Sequence, residues 1–149
     1  MRRERVRKLL LVGLVLSAAF AAWAWLQPYA WWPDSGARCK VVETLVTRDA
    51  SFCWINVHLK VNPGMSHDMK KPVVLESADQ GRWGPADTTV AGSDLENPEE
   101  IWFKFWLDRE KLAGPLTLRL NDGSLSIKSR NGIPEIENGR HRNFTTHRW

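Results

Sequence analysis

The sequence predicts an all-β domain, an antiparallel β-sandwich, behind a single N-terminal apolar helix. Its 149 residues allow one domain of ordinary size. An uncharged stretch over residues 9–26 follows a strongly basic start, and about six or seven short alternating segments follow it. Helical periodicity is scarce beyond residue 26, so the rest of the chain is assigned to the all-β class.

The N-terminal residues have the charge pattern of a membrane-inserted segment. Residues 1–8 carry five of the 21 Lys and Arg and one of the 17 Asp and Glu, whereas residues 9–26 carry none. Eighteen residues of helix span about 27 Å, close to the ~30 Å core of a bilayer. Because a basic end stays in the cytoplasm, we expect a cytoplasmic basic segment at 1–8, a transmembrane anchor or signal peptide at 9–26, and an extracytoplasmic remainder.

Two features bear on whether this segment is retained. Both Ala19-Phe20-Ala21 and Ala22-Trp23-Ala24 fit the small-x-small pattern of signal-peptide cleavage. Against cleavage, hydrophobicity continues to Leu26, and aromatic residues accumulate as they do at an outer membrane interface. These aromatic residues are Trp23, Trp25, Tyr29, Trp31 and Trp32. A retained single-pass anchor is therefore the preferred prediction, and a secreted or periplasmic chain is the alternative.

The net charge of +4 does not indicate a nucleic-acid partner. Residues 1–8 account for the whole excess, because the rest of the chain carries 16 Lys and Arg against 16 Asp and Glu. A polyanion-binding surface needs clustered positive charge on the part that meets the polyanion. The membrane, through residues 9–26, is the one partner that the charge pattern supports.

Behind the anchor the sequence predicts a linker over residues 27–38, a β domain over 39–130 and a polar C-terminal tail over 131–149. In the segments 52–61 and 101–108, apolar residues alternate with polar and aromatic ones, which is the period of a half-buried strand. Further strands are expected at 39–48, 72–77, 116–120 and 124–130, with a single helical turn at 108–112.

Two turns set the expected strand register. Asp49-Ala50-Ser51 is expected to join the first two strands. Asp122-Gly123 is expected to form a two-residue type I′ turn between the last two. The cross-strand pairs that follow are Leu120 with Leu125, Leu118 with Ile127, and Arg119 with Ser126.

Four segments of the predicted domain follow one another in a familiar order. They are Phe52-Cys-Trp-Ile-Asn-Val-His-Leu-Lys-Val61, Leu75 to Asp79, Ile101-Trp-Phe-Lys-Phe-Trp-Leu107 and Leu116-Thr-Leu-Arg-Leu120. This order resembles the small immunoglobulin-like domains that follow a signal or anchor in many bacterial envelope proteins. The resemblance covers about residues 40–130 and implies an immunoglobulin-like sandwich with a binding or structural role. The chain departs from such domains in the insertion Met65 to Met69 and in lacking their lipid-attachment cysteine.

No catalytic motif is found in the sequence. It contains no nucleophile elbow, no His-Glu-x-x-His, no glycine-rich phosphate loop and no Cys-x-x-Cys. Glu99 and Glu100 are adjacent, so on a strand their carboxylates point to opposite faces and make a poor acid–base pair. We therefore expect a protein that is not an enzyme, and a hydrolase is the weakest alternative.

The two cysteines are a candidate disulfide, because an exported domain permits one. In a hairpin that turns at Ala50, however, Cys53 lies opposite Thr47, and Cys39 is eight residues further on, about 26 Å away. A disulfide needs Cα atoms within about 7 Å of each other. Either the regular hairpin or the disulfide is therefore expected, but not both.

Met65, His67 and Met69 form a candidate metal site on a loop that follows Pro63-Gly64. Thioether and imidazole are soft ligands that suit Cu(I). Against copper, Lys70 and Lys71 adjoin the motif and repel a cation. The other reading is a polar loop between strands, and otherwise no cofactor is expected.

Trp102, Lys104 and Trp106 are expected on one face of a strand, and Trp54 shares a face with His58 on another. Two outward-facing aromatic clusters would form a platform for a carbohydrate or for another envelope protein. The preferred interpretation is that both sheet faces are covered, or that these rings fill the second half of the core. The sequence thus favours a membrane-anchored extracytoplasmic domain with a binding or structural role, and the alternative is a copper-binding protein that uses the Met/His loop.

Overall fold

The computed structural model describes residues 2–26 and 34–149, which form two separate compact units. The first unit is a single helix, and the second is a β domain. Three of the aromatic residues predicted at the membrane interface, Tyr29, Trp31 and Trp32, lie outside the described residues.

The N-terminal unit is one helix, α1, Arg2–Leu26. Its span Arg3–Trp25 contains an 18-residue window with a mean hydropathy of 1.8, and none of that window is buried among the described residues. At ~1.5 Å per residue, 25 helical residues extend about 37 Å. The helix is therefore long and apolar enough to cross a membrane or to act as a signal sequence, and it continues through the basic residues 2–8.

Residues 34–149 form nine strands in two antiparallel sheets. The first sheet has five strands in the order β5-β6-β2-β1-β9, and the second has four in the order β4-β3-β7-β8. Two short 3-10 helices, Ser35–Ala37 and Arg109–Ala113, precede β1 and follow β6. The strands are β1 Cys39–Asp49, β2 Phe52–Val61, β3 Val74–Ser77, β4 Arg82–Trp83, β5 Asp87–Ala91, β6 Glu100–Asp108, β7 Leu116–Leu120, β8 Gly123–Lys128 and β9 His141–Phe144.

The buried faces of both sheets contribute to one hydrophobic core. In β2 and β6 every second side chain is buried, as the alternation in the sequence predicts. Each large apolar side chain removed from water contributes about 1.5–3 kcal/mol to folding. The largest fully buried apolar side chains include Phe103, Phe105, Ile55, Leu59 and Leu118.

The β1–β2 hairpin is present at the expected place, but its turn is one residue shorter than the expected Asp49-Ala50-Ser51. Asp49 pairs with Phe52, so Ala50 and Ser51 form a two-residue turn, with Ala50 at φ 54°. Because the turn has two residues, Cys53 lies opposite Arg48, one position from the expected Thr47.

The β7–β8 hairpin is also present, but its predicted register is wrong by two residues. The turn is Asn121-Asp122, so Leu120 pairs with Gly123 and Leu118 with Leu125. Arg119 pairs with Ser124 instead of Ser126. The glycine is required for close packing: a Cβ at Gly123 would overlap the backbone nitrogen of Ala37 and lie 2.7 Å from Asp34 Oδ2.

The predicted linker 27–38 is too long at its C-terminal end, because residues 34–38 pack against the β7–β8 turn. Asp34 Oδ2 accepts a hydrogen bond from the Ser124 N–H at 2.9 Å, and Asn121 Nδ2 donates to the Ala37 carbonyl at 2.7 Å. Ala37 is fully buried. The β domain therefore begins near Asp34, five residues before the predicted start.

The predicted polar tail 131–149 is in fact part of the β domain. Residues 141–144 form β9 and pair with residues 44–47 of β1, and Ile136 is buried. Two further short strands, β4 and β5, lie in a region that the sequence leaves irregular. These strands are short and mostly polar, so their pairing partners are not encoded by local alternation.

We predict that Gly123→Ala lowers the free energy of unfolding of the full chain by about 1–3 kcal/mol, because the added methyl group must displace the backbone of residues 34–37. Denaturant unfolding followed by tryptophan fluorescence in mild detergent measures this change. Gly84→Ala is the matched control, since a Cβ there meets no atom within 4 Å, and we expect a change within ~0.5 kcal/mol. Equal losses in the two variants would contradict the steric explanation.

Candidate functional site

The predicted aromatic residues lie on the outer face of the five-stranded sheet. Trp54 pairs directly with Trp106 across β2 and β6, and Lys104 and Trp102 lie on the same face of β6. The intervening residues, such as Phe103 and Phe105, point into the core. The two clusters expected from the sequence are therefore parts of one continuous surface.

This surface, which we name the aromatic ribbon, consists of Phe52, Trp54, Trp102, Lys104 and Trp106. The rings of Phe52 and Trp106 stack with centroids 4.9 Å apart, and those of Trp54 and Trp106 are 4.3 Å apart. Lys104 Nζ lies 4.5 Å from the centroid of Trp54, within the range of a cation–π interaction. The ribbon residues are half-buried, so their mutual packing orders them while part of each remains in solvent.

At one end of the ribbon, His58 lies between two carboxylates and an aromatic ring. Its imidazole stacks on Trp102 with centroids 4.3 Å apart and an interplanar angle of 11°. His58 Nε2 lies 3.0 Å from Glu100 Oε2, and Nδ1 lies 3.9 Å from Glu43 Oε1. The sequence places His58 on the same strand face as Trp54, but it does not reveal the carboxylates, which strand pairing brings to His58 from β1 and β6.

The ribbon has the chemistry of a binding surface. It offers aromatic rings, one lysine ammonium group and hydrogen-bonding groups from His58 and its carboxylates at fixed positions on a sheet. Among the described residues, no group of three or more His, Cys, Asp or Glu could hold a metal ion. These side chains can contact a ligand through ring faces, a cation and hydrogen bonds.

The Met/His loop is divided between the interior and the surface. His67 is 6% exposed and packs edge-on against Phe103, with ring centroids 5.8 Å apart. Burial lowers the pKa of His67, and its buried Nδ1 has no hydrogen-bond partner. Met65 and Met69, in contrast, are 45% and 52% exposed.

The Cys39–Cys53 disulfide is not formed: both cysteines are free and buried. Cys39 pairs with Val61, which is eight positions along β2 from Cys53. That separation is about 26 Å along a strand, far beyond the reach of a disulfide. Burial raises the pKa of Cys39 to about 11, so this thiol is protonated at neutral pH and is a weak nucleophile.

A shallow groove of about 410 Å³ lies beside the β7–β8 turn. It is lined by both signs of charge, including Lys71 and Arg119 against Asp34 and Asp122. Asp122 binds Arg38 at 2.7 Å and also contacts Lys71, so these charges are largely paired within the domain. The groove therefore offers less unpaired chemistry than the aromatic ribbon does.

The aromatic ribbon is thus the described surface that best combines partly exposed aromatic area with polar groups held in place. Comparison of this chain with protein-family models, with curated proteins and with solved structures finds no match.

Proposed function

We propose that this protein is a membrane-anchored, extracytoplasmic binding domain of immunoglobulin-like topology, an accessory protein of the cell envelope whose ligand contacts the aromatic ribbon. The observation that carries the proposal is the ribbon itself, an ordered row of aromatic rings on the sheet face turned away from the core. The role is one of binding or structure, and no enzymatic activity is proposed.

The strand order supports the immunoglobulin-like part of the proposal. If β1 to β8 correspond to strands A, B, C, C′, D, E, F and G of that fold, the two sheets become A-B-E-D and G-F-C-C′. Strand β9 then extends the first sheet beyond strand A. Two hallmarks of antibody domains are missing: β3 contains no Trp, and β7 contains no Cys to pair with Cys53 of β2.

The helix α1 and its flanking charge support attachment to the membrane. Residues 2–8 carry five cations next to the apolar stretch, and by the positive-inside rule this end stays in the cytoplasm. The β domain would then lie on the extracytoplasmic side. An uncleaved anchor also explains why hydrophobicity extends to Leu26, beyond both candidate cleavage sites.

We predict that the mature protein recovered from membranes keeps residues 1–24, because α1 serves as an anchor. Intact-mass measurement of the chain extracted in mild detergent tests this expectation. A chain that begins at Ala22 or Trp25 and is found in the soluble extracytoplasmic fraction would show that the segment is a cleaved signal peptide.

The packing of the ribbon supports a role in binding. Rings that already stack on one another lose little side-chain freedom when a ligand arrives, which lowers the entropic cost of association. Tryptophan also supplies a large contact area together with an N–H donor. The ligand proposed first is another envelope protein, because buried tryptophans dominate the energetics of protein interfaces. A carbohydrate is the other ligand that the surface would accept.

We predict that a photo-crosslinking residue placed at Thr89, the exposed β5 residue that pairs with Trp102, captures a ligand in intact membranes. The same photo-crosslinking residue placed instead at Ser126, which is exposed on β8, should capture no ligand. Trp102→Ala should reduce the yield of the Thr89 adduct at least ~10-fold, since an interface hot spot contributes about 2 kcal/mol or more. The mass and composition of the adduct distinguish a protein from a glycan.

Leu95→Ala is the control for this experiment, because Leu95 is 67% exposed and does not belong to the ribbon. It should leave the adduct yield unchanged. Equal yields from Thr89 and Ser126, or an unchanged yield in Trp102→Ala, would count against the ribbon as the binding surface.

The alternative function, copper binding by the Met/His loop, has one supporting observation, the buried and unpartnered Nδ1 of His67. A neutral imidazole is the form that binds a metal, and burial favours that form. The exposed positions of Met65 and Met69 and the neighbouring Lys70 and Lys71 oppose it.

If this alternative holds, Met65→Leu combined with Met69→Leu should weaken Cu(I) binding by the purified chain at least ~10-fold, because both thioether ligands are lost while side-chain size is preserved. Competition with a Cu(I) chelator measures the affinity. Lys70→Gln should strengthen binding by removing a nearby positive charge. An unchanged affinity in the double variant would eliminate the loop as a copper site.

A further inference from the structure

Lys128, the last residue of β8, is fully buried. Its Nζ donates to the Arg130 carbonyl and lies 5.6 Å from the centroid of the Trp149 ring. An ammonium group has three donors, and a buried charge without an anionic partner is costly. Within residues 34–149, no carboxylate lies within ion-pair distance of this amine.

An irregularity in the β7–β8 pairing accompanies this burial. Thr117 pairs with Ser126 but Leu116 pairs with Lys128, so Ile127 is an extra residue in β8. As a result, Ile127 and Lys128 are both buried although they are adjacent in the strand. A regular strand would have directed one of these two side chains to the solvent.

Trp149 lies next to the Lys128 amine, at the end of residues 145–149, which we name the C-terminal strap. Trp149 stacks on Phe144 with centroids 4.3 Å apart and an interplanar angle of 11°. The His147 carbonyl accepts hydrogen bonds from Ser129 N–H at 2.7 Å and from Ser129 Oγ at 3.0 Å. The strap is thus held by the Phe144 ring stack, by the packing of Trp149 against the core, and by Ser129, and residues 145–149 belong to no strand.

The closed strap leaves polar groups incompletely satisfied. Trp149 Nε1 is buried and has no hydrogen-bond partner among residues 2–26 and 34–149. A buried donor without a partner costs about 1–3 kcal/mol, and the buried amine of Lys128 adds to this cost. Opening of the strap would return both groups to water, which offsets part of the lost stacking and packing.

We infer that the C-terminal strap is a releasable cover that opens without unfolding of the β domain, and that its opening exposes the Lys128 ammonium group together with the apolar slot that Trp149 occupies. Burial lowers the pKa of Lys128, in agreement with an amine held away from water in the closed state.

Lysine labelling tests this inference on the full chain in mild detergent. An amine-reactive acetylating reagent is applied, and modification at each lysine is followed by mass spectrometry. Lys128 should react at least ~10-fold more slowly than Lys40, which is exposed. If opening is local, the rate of Lys128 acetylation should stay constant in low urea. If this rate instead rises with urea in parallel with the exchange of amide hydrogens in the core, only global unfolding exposes Lys128, which would contradict the inference.

Trp149→Ala should accelerate labelling of Lys128 at least ~10-fold and leave Lys40 unchanged, whereas Thr145→Ala, at an exposed strap position, should change neither. Unchanged protection of Lys128 in Trp149→Ala would overturn the inference. If that variant unfolds, Lys128→Met decides through the Ser129 amide, which donates to the His147 carbonyl only when the strap is closed. Slower exchange of this amide supports the inference, because the buried amine no longer opposes closure. Unchanged or faster exchange overturns it.

Discussion

The pairing of β2 with β6 is the constraint on which the rest of the structure depends. Nine consecutive residue pairs run from Phe52–Asp108 to Lys60–Glu100 without a bulge. In such a pair of strands, each side chain points to one of the two faces of the sheet. The register of the pair therefore determines both which residues enter the core and which lie on the outer face. One face contributes Ile55, Phe103 and Phe105 to the core, and the other carries the aromatic ribbon. A shift of one residue would bury the tryptophans and expose the core.

The same constraint explains which parts of the fold can be predicted from the sequence. The helix α1 and the strands β2 and β6 follow from local patterns, because charge, hydropathy and alternation are properties of neighbouring residues. Alternation alone places Trp102, Lys104 and Trp106 on one face of their strand and Trp54 with His58 on one face of theirs, and the pairing of β2 with β6 joins the two clusters. The carboxylates beside His58 do not follow from alternation, since Glu43 and Glu100 reach it only through the pairing of three strands.

The features that the sequence does not predict have a common physical origin, which is contact between segments that are distant in the chain. Gly123 resembles a turn glycine, but its small size is required by residues 34–37, which lie nearly 90 positions earlier. The strand β9 is exposed and polar, and only β1 makes it a strand. Lys128 is buried because β8 contains an extra residue and because Trp149 covers it. None of these causes is visible within a window of ten residues.

The contact between residues 34–37 and the β7–β8 turn has a consequence for how this domain can vary. Gly36 and Gly123 each leave room for the backbone beside the other. A Cβ at Gly36 would lie 2.6 Å from the Asp122 carbonyl oxygen, and a Cβ at Gly123 would overlap the Ala37 backbone. Neither glycine has a positive φ, so neither is needed for backbone freedom. The segment of residues 34–37 and the β7–β8 turn therefore pack backbone against backbone, with one glycine from each at the contact. A change of either loop is therefore tolerated only with a compensating change in the other, and the two loops form one unit of variation although they are far apart in the chain.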